Sequence, residues 1–265
     1  MKISLCSTGF KDHSVENVLK LAYQLGLDGV ELWTGHIEEY LERSNSLQNL
    51  NSLVRSYNLS IPAISPYTYF SKSEEEVIDS VTEIKRYTDI AFQLNCPLVR
   101  TFVGHYPSKE VSDEQWKRTI DHLKQAIQEV DQDDVNVGVE IHNNTFADTI
   151  ESITKIVSEV NHPRLSLIFD GFNLYVDRLE QMEAFHTLHP FIQHVHLKNY
   201  RWNHEDWDQS IPTSIFGGDV DHKQLLNQLR EKGYQNFISL EYFGHNAEKC
   251  IRESIKELQD IKIRN

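Results

Sequence analysis

The sequence predicts an α/β fold, a (β/α)8 barrel of eight parallel strands surrounded by helices. Three observations carry that prediction. Short β-rich runs alternate with amphipathic runs from one end of the chain to the other, the pattern of βα units around a parallel sheet. Several of the runs are apolar on both faces, as strands between a barrel interior and an outer helix layer must be. The length of 265 residues suits one barrel of roughly 250 residues. An open doubly wound sheet is the main competitor, but it carries a glycine-rich phosphate turn after its first strand. Here that turn is Cys6-Ser7-Thr8-Gly9-Phe10, with one glycine. A single domain over 1–265 is expected, with no linker and no repeat beyond the βα alternation.

The elements follow in order. The first strand is read at Lys2–Ser7, and the helical stretch after it closes at Gly26, where a left-handed residue is wanted. Gly29–Trp33 and Ser60–Ser65 are the next two strands. Ser73 with Glu76 has capping-box spacing at the start of a helix. Leu98–Phe102 is the fourth strand. Ser112 with Gln115 repeats the box, and Trp116, Ile120, Leu123, Ile127 and Val130 then step by 4, 3, 4 and 3 along one helical face. Val135–Ile141, Leu165–Asp170 and Phe191–Leu197 are strands five to seven. Gly233 closes another helical stretch before the last strand, Phe237–Glu241. Eight strands and eight helices result.

Composition narrows the function. Forty acidic against 26 basic residues give a net charge of −14, which opposes binding to phosphate backbones and excludes nucleic acid as an expected partner. With 39% apolar residues the chain can bury a large core. No run approaches the roughly 18 apolar residues of a membrane helix. The start, Met1-Lys2-Ile3-Ser4-Leu5-Cys6, turns polar too soon for a secretory h-region. Three widely spaced cysteines, Cys6, Cys96 and Cys250, without a CxxC, argue against both a disulfide framework and a zinc ribbon. A soluble, cytoplasmic protein without membrane contact is expected, with a homodimer as the candidate assembly.

Barrel sites are built at the C-terminal ends of strands. Strand five ends Val139-Glu140-Ile141-His142, strand six Ile168-Phe169-Asp170, strand seven His194-Val195-His196-Leu197-Lys198, and strand eight Ser239-Leu240-Glu241. Singly, each acidic residue reads as a helix cap or a salt-bridge partner. Together, Glu140, Asp170, His196 and Glu241 bring three carboxylates and an imidazole to one end of four successive strands. Such a set repels itself without a cation, and it suits one divalent Mn²⁺, Mg²⁺ or Zn²⁺. Alternation turns His142 with Glu140 and Lys198 with His196.

This pattern resembles the xylose-isomerase-like TIM-barrel superfamily of sugar isomerases and epimerases. Further stretches are similar to one branch, the bacterial metal-dependent 3-dehydroshikimate dehydratases. They are Ser4-Leu5-Cys6, Gly29-Val30-Glu31-Leu32-Trp33, Arg100-Thr101-Phe102-Val103-Gly104, Ile192-Gln193-His194-Val195-His196 with Lys198-Asn199, and Ser239-Leu240-Glu241-Tyr242-Phe243-Gly244-His245-Asn246. The resemblance implies Glu140, Asp170, His196 and Glu241 as metal ligands. It implies Arg100, His142 and Lys198 as substrate-contacting groups, with Tyr67 and Glu31 beside them. His36, His105 and His245 are expected at the rim.

One departure bears on the reaction. Relatives have Asp-x-x-His after strand six, whereas this chain has Asp170-Gly171-Phe172-Asn173. Asn173 is left as a hydrogen-bonding, substrate-binding candidate that cannot titrate. Epimerisation or aldose–ketose isomerisation needs only a pair of proton-moving glutamates, Glu140 and Glu241, and a cation to stabilise an enediolate. Elimination of water needs a further acid, for which His142 or Lys198 would have to serve. The expected function is therefore a metal-dependent sugar or sugar phosphate isomerase or epimerase acting on a small polyhydroxylated or anionic substrate. A 3-dehydroshikimate dehydratase is the runner-up, and a non-catalytic metabolite-binding barrel the alternative of another class. Gly217-Gly218 offers backbone N–H groups to a phosphate, although a plain turn is the ordinary reading of such a pair.

Overall fold

The strands β1 (Lys2–Cys6), β2 (Gly29–Trp33), β3 (Ile64–Ser65), β4 (Leu98–Thr101), β5 (Asn136–Glu140), β6 (Leu165–Asp170), β7 (Ile192–Leu197) and β10 (Phe237–Leu240) close into one barrel. Their order around it is β1-β10-β7-β6-β5-β4-β3-β2, and every neighbouring pair is parallel. This is a computed structural model, and it describes residues 1–44, 46–130 and 134–261. Residues 45, 131–133 and 262–265 of the expected domain lie outside the described residues.

Seven of the eight predicted strands lie within one residue of the observed bounds at either end, and Gly29–Trp33 and Leu165–Asp170 coincide. Ser60–Ser65 is the exception among longer differences. Only Ile64–Ser65 pairs as a strand, and Ser60 makes an isolated bridge to Gly29. Pro62 lies between the two contacts and has no N–H to give to a ladder. The helices number ten among the described residues rather than eight. Two connections hold two each: α2 (Thr34–Ser44) with α3 (Leu47–Ser56), and α7 (Gly171–Val176) with α8 (Gln181–Leu188). The others are α1 (Val15–Gln24), α4 (Glu74–Gln93), α5 (Asp113–Gln128), α6 (Ile150–Val160), α9 (His222–Glu231) and α10 (Ala247–Asp260). A short antiparallel hairpin, β8 (Asn199–Arg201) with β9 (Ile211–Thr213), also follows β7 and was not expected. Its base is fixed by the buried Asn199, whose amide donates to the Ile215 and Val220 carbonyls at 2.8 Å each.

Local signals explain the helix ends. Ser112 and Gln115 form the full capping box of α5. Ser73 caps α4, but the Glu76 carboxylate turns back to the N–H groups of Ser71 and Lys72 instead. Gly26 and Gly233 both have positive φ, at 66° and 72°. Outward residues such as Val99, Val137, Val139, Leu167, Phe169, Val195 and Leu197 pack with the helix faces in one large apolar cluster.

The inside of the barrel is different. Low in it, Ala63, Leu98 and Ile168 form a small apolar plug. Gly138 leaves the room they need, since a Cβ there would lie 2.9 Å from Leu98 and 3.1 Å from Ile168. Two residues further along each strand, alternation replaces Leu98 with Arg100, Gly138 with Glu140 and Ile168 with Asp170. The same step carries His194 to His196 and Ser239 to Glu241. The lower interior is thus apolar on the β3, β4 and β6 side and polar at His194 and Ser239, and charge gathers towards the C-terminal ends of the strands. No helix among the described residues is long and apolar enough to cross a membrane.

All three cysteines are buried and free. Burial pushes the Cys96 thiol up to about 12 and raises Cys6 well above its ordinary value. The native protein should therefore show no rapidly reacting thiol towards Ellman's reagent at pH 8, and three in denaturant. A native thiol reacting as fast as free cysteine would contradict the packing around it.

Candidate functional site

Glu140 and Asp170 are the last residues of β5 and β6, His196 is the last but one of β7, and Glu241 follows β10 directly. Each offers a ligand atom, and the four atoms lie within 4.8 Å of one another, all on buried residues. The helix-cap reading of Asp170 also holds. Its Oδ1 accepts from the N–H groups of Phe172 and Asn173 at the start of α7. Its Oδ2 is left for the cluster.

His196 is fully buried, and its two ring nitrogens differ. Nε2 lies 2.9 Å from Glu31 Oε2. Nδ1 makes no hydrogen bond, although it is buried 3.5 Å from Glu140 Oε1 and 3.8 Å from Glu241 Oε2. Burial disfavours the imidazolium, but Glu31, Glu241 and Glu140 outweigh it and hold His196 well above its ordinary value. Conversely, burial would raise the Glu140 carboxyl, while Arg100 and then His196 bring it below the usual carboxylate range.

Two permanent cations balance the carboxylates. Lys198 Nζ lies 2.6 Å from both Asp170 Oδ2 and Glu241 Oε2. Desolvation opposes its charge, yet Asp170 and Glu241 keep it protonated far above the ordinary lysine value. Arg100, 1% exposed, places Nη1 3.0 Å from Glu140 Oε2 and 4.0 Å from Glu241 Oε1. Its Nε and Nη2 are buried without a partner. The guanidinium sits between the rings of Tyr67 and Phe102, 4.9 and 4.8 Å from their centres. That leaves the two-donor edge of Arg100, which matches a carboxylate or phosphate, unused by the protein. Three carboxylates with an orphaned buried imidazole nitrogen fit a divalent cation, since the donor set is that of Mn²⁺, Mg²⁺ and Zn²⁺ sites.

Other predicted residues fall in different places. Tyr67 is 41% exposed at the mouth, beside Arg100. His142 is half-buried there, with Nδ1 2.6 Å from the Asn143 carbonyl and its ring edge-on to Phe102. His105, bonded to Ser71 and stacked on Tyr69, is a rim residue, and His245 is exposed. Glu31, expected beside the substrate, does not lie at the mouth. It is 0% exposed beneath the cluster, where Ser65 donates to Oε1 and both His194 and His196 meet Oε2. Asn173 is also buried, and its amide donates to the Ile141 carbonyl at 3.0 Å and joins α7 to the end of β5. His36 is not at the rim, being buried between Ser7 and the Phe10 carbonyl. Gly218 packs directly on Asn199, where a Cβ would come within 2.3 Å of Oδ1, so the glycine pair serves close packing. His194 was missed, although it lies two residues before His196 and strand alternation turns it inward. Phe102 was missed as a wall of the site.

The sequence pattern of the xylose isomerase-like TIM barrel family matches residues 19–261. A 3-dehydroshikimate dehydratase from Bacillus anthracis is 26% identical over 273 residues, covering 97% of this chain and 96% of its own. A fructoselysine 3-epimerase from Escherichia coli O157:H7 is 19% identical over 258 residues, covering 91% and 90%. Among solved structures, a Bacillus anthracis protein involved in petrobactin synthesis has a TM-score of 0.88 at 25% identity, over 98% of this chain and 99% of that one. A dehydratase and an epimerase thus stand among the relatives.

The Arg100–Glu140 pair carries a stability prediction. Arg100→Met leaves a buried carboxylate without its main counter-charge, which costs about 3 kcal/mol at pH 7. Because Glu140 titrates below its unfolded value of about 4.3, the stability it contributes is present above that pH and is lost as pH falls. Urea denaturation of chelator-treated protein should therefore show the gap between wild type and variant closing below about pH 4. A gap that stays constant with pH would assign the loss to packing instead.

Proposed function

The chain belongs to the xylose isomerase-like TIM barrel family, and from that premise we propose that it is a divalent-metal-dependent isomerase or epimerase. Its substrate is a small polyhydroxylated carbonyl compound that bears an anionic group. The observation that carries this reading is the convergence of Glu140, Asp170, Glu241 and the unpartnered His196 Nδ1 within one 4.8 Å cluster.

Glu140, Asp170, His196 through Nδ1 and Glu241 would hold the ion. Bound there, a divalent cation supplies Lewis-acid stabilisation of the negative charge that develops on the carbonyl oxygen, worth several kcal/mol. The remaining chemistry belongs to the side chains. Glu140 and Glu241 come from β5 and the end of β10, which two strands separate, so they face a ligand from different sides. One takes the proton from the carbon beside the carbonyl, and the other returns it on the opposite face. Lys198, already against Asp170 and Glu241, donates to a substrate oxygen. Arg100 grips the anionic group through Nε and Nη2, walled by Tyr67 and Phe102. His142 closes the mouth on that side.

Dehydration is the second reading, favoured by the 26%-identical dehydratase and by the carboxylate-shaped edge of Arg100. It ranks second because a leaving hydroxyl needs an acid. Asn173 cannot supply a proton, and its amide is engaged with the Ile141 carbonyl. His142 or Lys198 would have to do so.

Two measurements test the proposal. Elemental analysis should find one divalent ion per chain, and none in a Glu140→Gln, Asp170→Asn double variant. Equal metal content in both would remove the assigned ligands. In D₂O, the metal-loaded protein should wash deuterium into ketose phosphates or keto-sugar acids at the carbon beside the carbonyl. Glu241→Gln should slow that exchange by about 10²–10⁴-fold. No exchange into any of them would favour a binding barrel. Rapid formation of 3,4-dihydroxybenzoate from 3-dehydroshikimate would instead make dehydration the function.

A further inference from the structure

Beneath the cluster lies a second layer of polar side chains that the proposed chemistry does not use. Glu31 Oε2 lies 2.9 Å from His196 Nε2 and 3.0 Å from His194 Nε2. Its other oxygen, Oε1, accepts from Ser65 Oγ at 2.6 Å. His194 Nε2 is also 2.9 Å from Ser239 Oγ, which is 2.8 Å from Ser4 Oγ. All six residues are buried, with Glu31 and His196 at 0% exposure. They come from β1, β2, β3, β7 and β10, so the layer ties together five of the eight barrel strands.

We infer that Glu31, backed by His194 and Ser65, is a positioning residue that fixes the ring of His196 so that Nδ1 faces the carboxylates above. An ionised carboxylate can only accept hydrogen bonds. The nitrogen of His196 against Glu31 must therefore be the N–H, and the opposite nitrogen is presented to Glu140, Asp170 and Glu241. A carboxylate behind a ligating histidine fixes its tautomer and orientation, and losing such a partner typically weakens metal binding about 10- to 100-fold. Glu31 is held in turn by donors on both oxygens, so it has one orientation available. The inference rests on the reading of His196 as a metal ligand, and it extends that reading to residues outside the cluster.

A competing use of the same atoms is a second metal site, because one ligand atom each of Glu31, His194 and His196 also lies within 4.8 Å of the others. The hydrogen bonds argue against it. The facing atoms of that group, Glu31 Oε2, His194 Nε2 and His196 Nε2, already hydrogen-bond to one another, whereas the Nδ1 of His196 has no partner.

The test compares wild type with Glu31→Gln, which keeps the shape but can no longer accept at both oxygens. Titration against a fluorescent chelator should give one Mn²⁺ or Zn²⁺ per chain for both proteins, with affinity about 10- to 100-fold weaker in the variant. His194→Gln and Ser65→Ala should each weaken it several-fold, and they decide the matter if Glu31→Gln does not fold. In chelator-treated protein carrying ¹⁵N-histidine, the hydrogen-bonded His196 Nε2–H should be observable, identified by its loss in His196→Gln, and should shift or vanish in Glu31→Gln. A merely structural Glu31 would lower the melting temperature without moving either readout. Unchanged affinity in the folded variants, an unshifted Nε2–H, or a second ion lost on Glu31→Gln would each overturn the inference. A wild-type protein that takes up no ion would overturn the metal reading itself, and that failure appears in the wild-type titration alone.

Discussion

Four carboxylates, Glu31, Glu140, Asp170 and Glu241, are buried inside one barrel wall, and the rest of the site follows from neutralising them. Isolated ions in such surroundings cost several kcal/mol each even after relaxation. The chain answers with Arg100, Lys198 and His196, each within 4.0 Å of at least two of these acids or of one acid at hydrogen-bond distance. The compensation is not a route to stability, because an apolar interior would do as well or better. Its persistence in the upper half of the barrel, above an apolar plug of Ala63, Leu98 and Ile168, therefore points to use rather than to packing.

Much of the architecture was legible in the sequence for simple reasons. Parallel strands buried on both faces leave apolar runs of recognisable length, and Gly29–Trp33 and Leu165–Asp170 came out as read. The third strand did not, because a proline at 62 breaks the ladder while the flanking residues stay as apolar as a strand. The paired helices α7 and α8 were hidden by brevity: α7 has six residues, too few for a helical period to establish itself. The β8–β9 hairpin was hidden in the same way, with three residues per strand. Its position depends on the side chain of Asn199 and not on any repeating pattern.

In the site, what could be read was which residues point inward; what could not was depth. Glu140 and Asp170 end their strands, whereas Glu31 is the third of five residues in β2 and sits lower in the barrel. Its strand had the right bounds, so the mid-strand position already argued for a buried supporting role over substrate contact. Resemblance to a family had placed it beside the substrate instead. The placement of Asn173 has another cause. A residue three places after a strand-end aspartate lies in the first turn of the next helix, and its side chain goes to whichever carbonyl the turn exposes, here that of Ile141. His36 likewise found a carbonyl and a hydroxyl inside the β2–α2 corner, which spacing alone does not announce.

Satisfied and unsatisfied polar atoms divide the interior into two layers. In the lower one Glu31, His194, Ser65, Ser239 and Ser4 bond among themselves. In the upper one, partners run out. Six buried side-chain polar atoms lack a hydrogen bond among the described residues, and three of them, Arg100 Nε, Arg100 Nη2 and His196 Nδ1, belong to the two residues that flank Glu140 and Glu241. Native proteins leave few such groups, and their concentration beside Glu140 and Glu241 is what the proposed ligand site rests on. The arrangement separates two tasks. On the proposed function, the hydrogen-bonded lower layer would set the geometry of His196, and the upper layer, with Tyr67, Phe102 and His142 at its edge, would meet the ligand. Fold alone does not choose among reactions. Relatives that include a dehydratase and an epimerase fit such a division, in which the titratable groups at the mouth would choose the reaction of the proposed site.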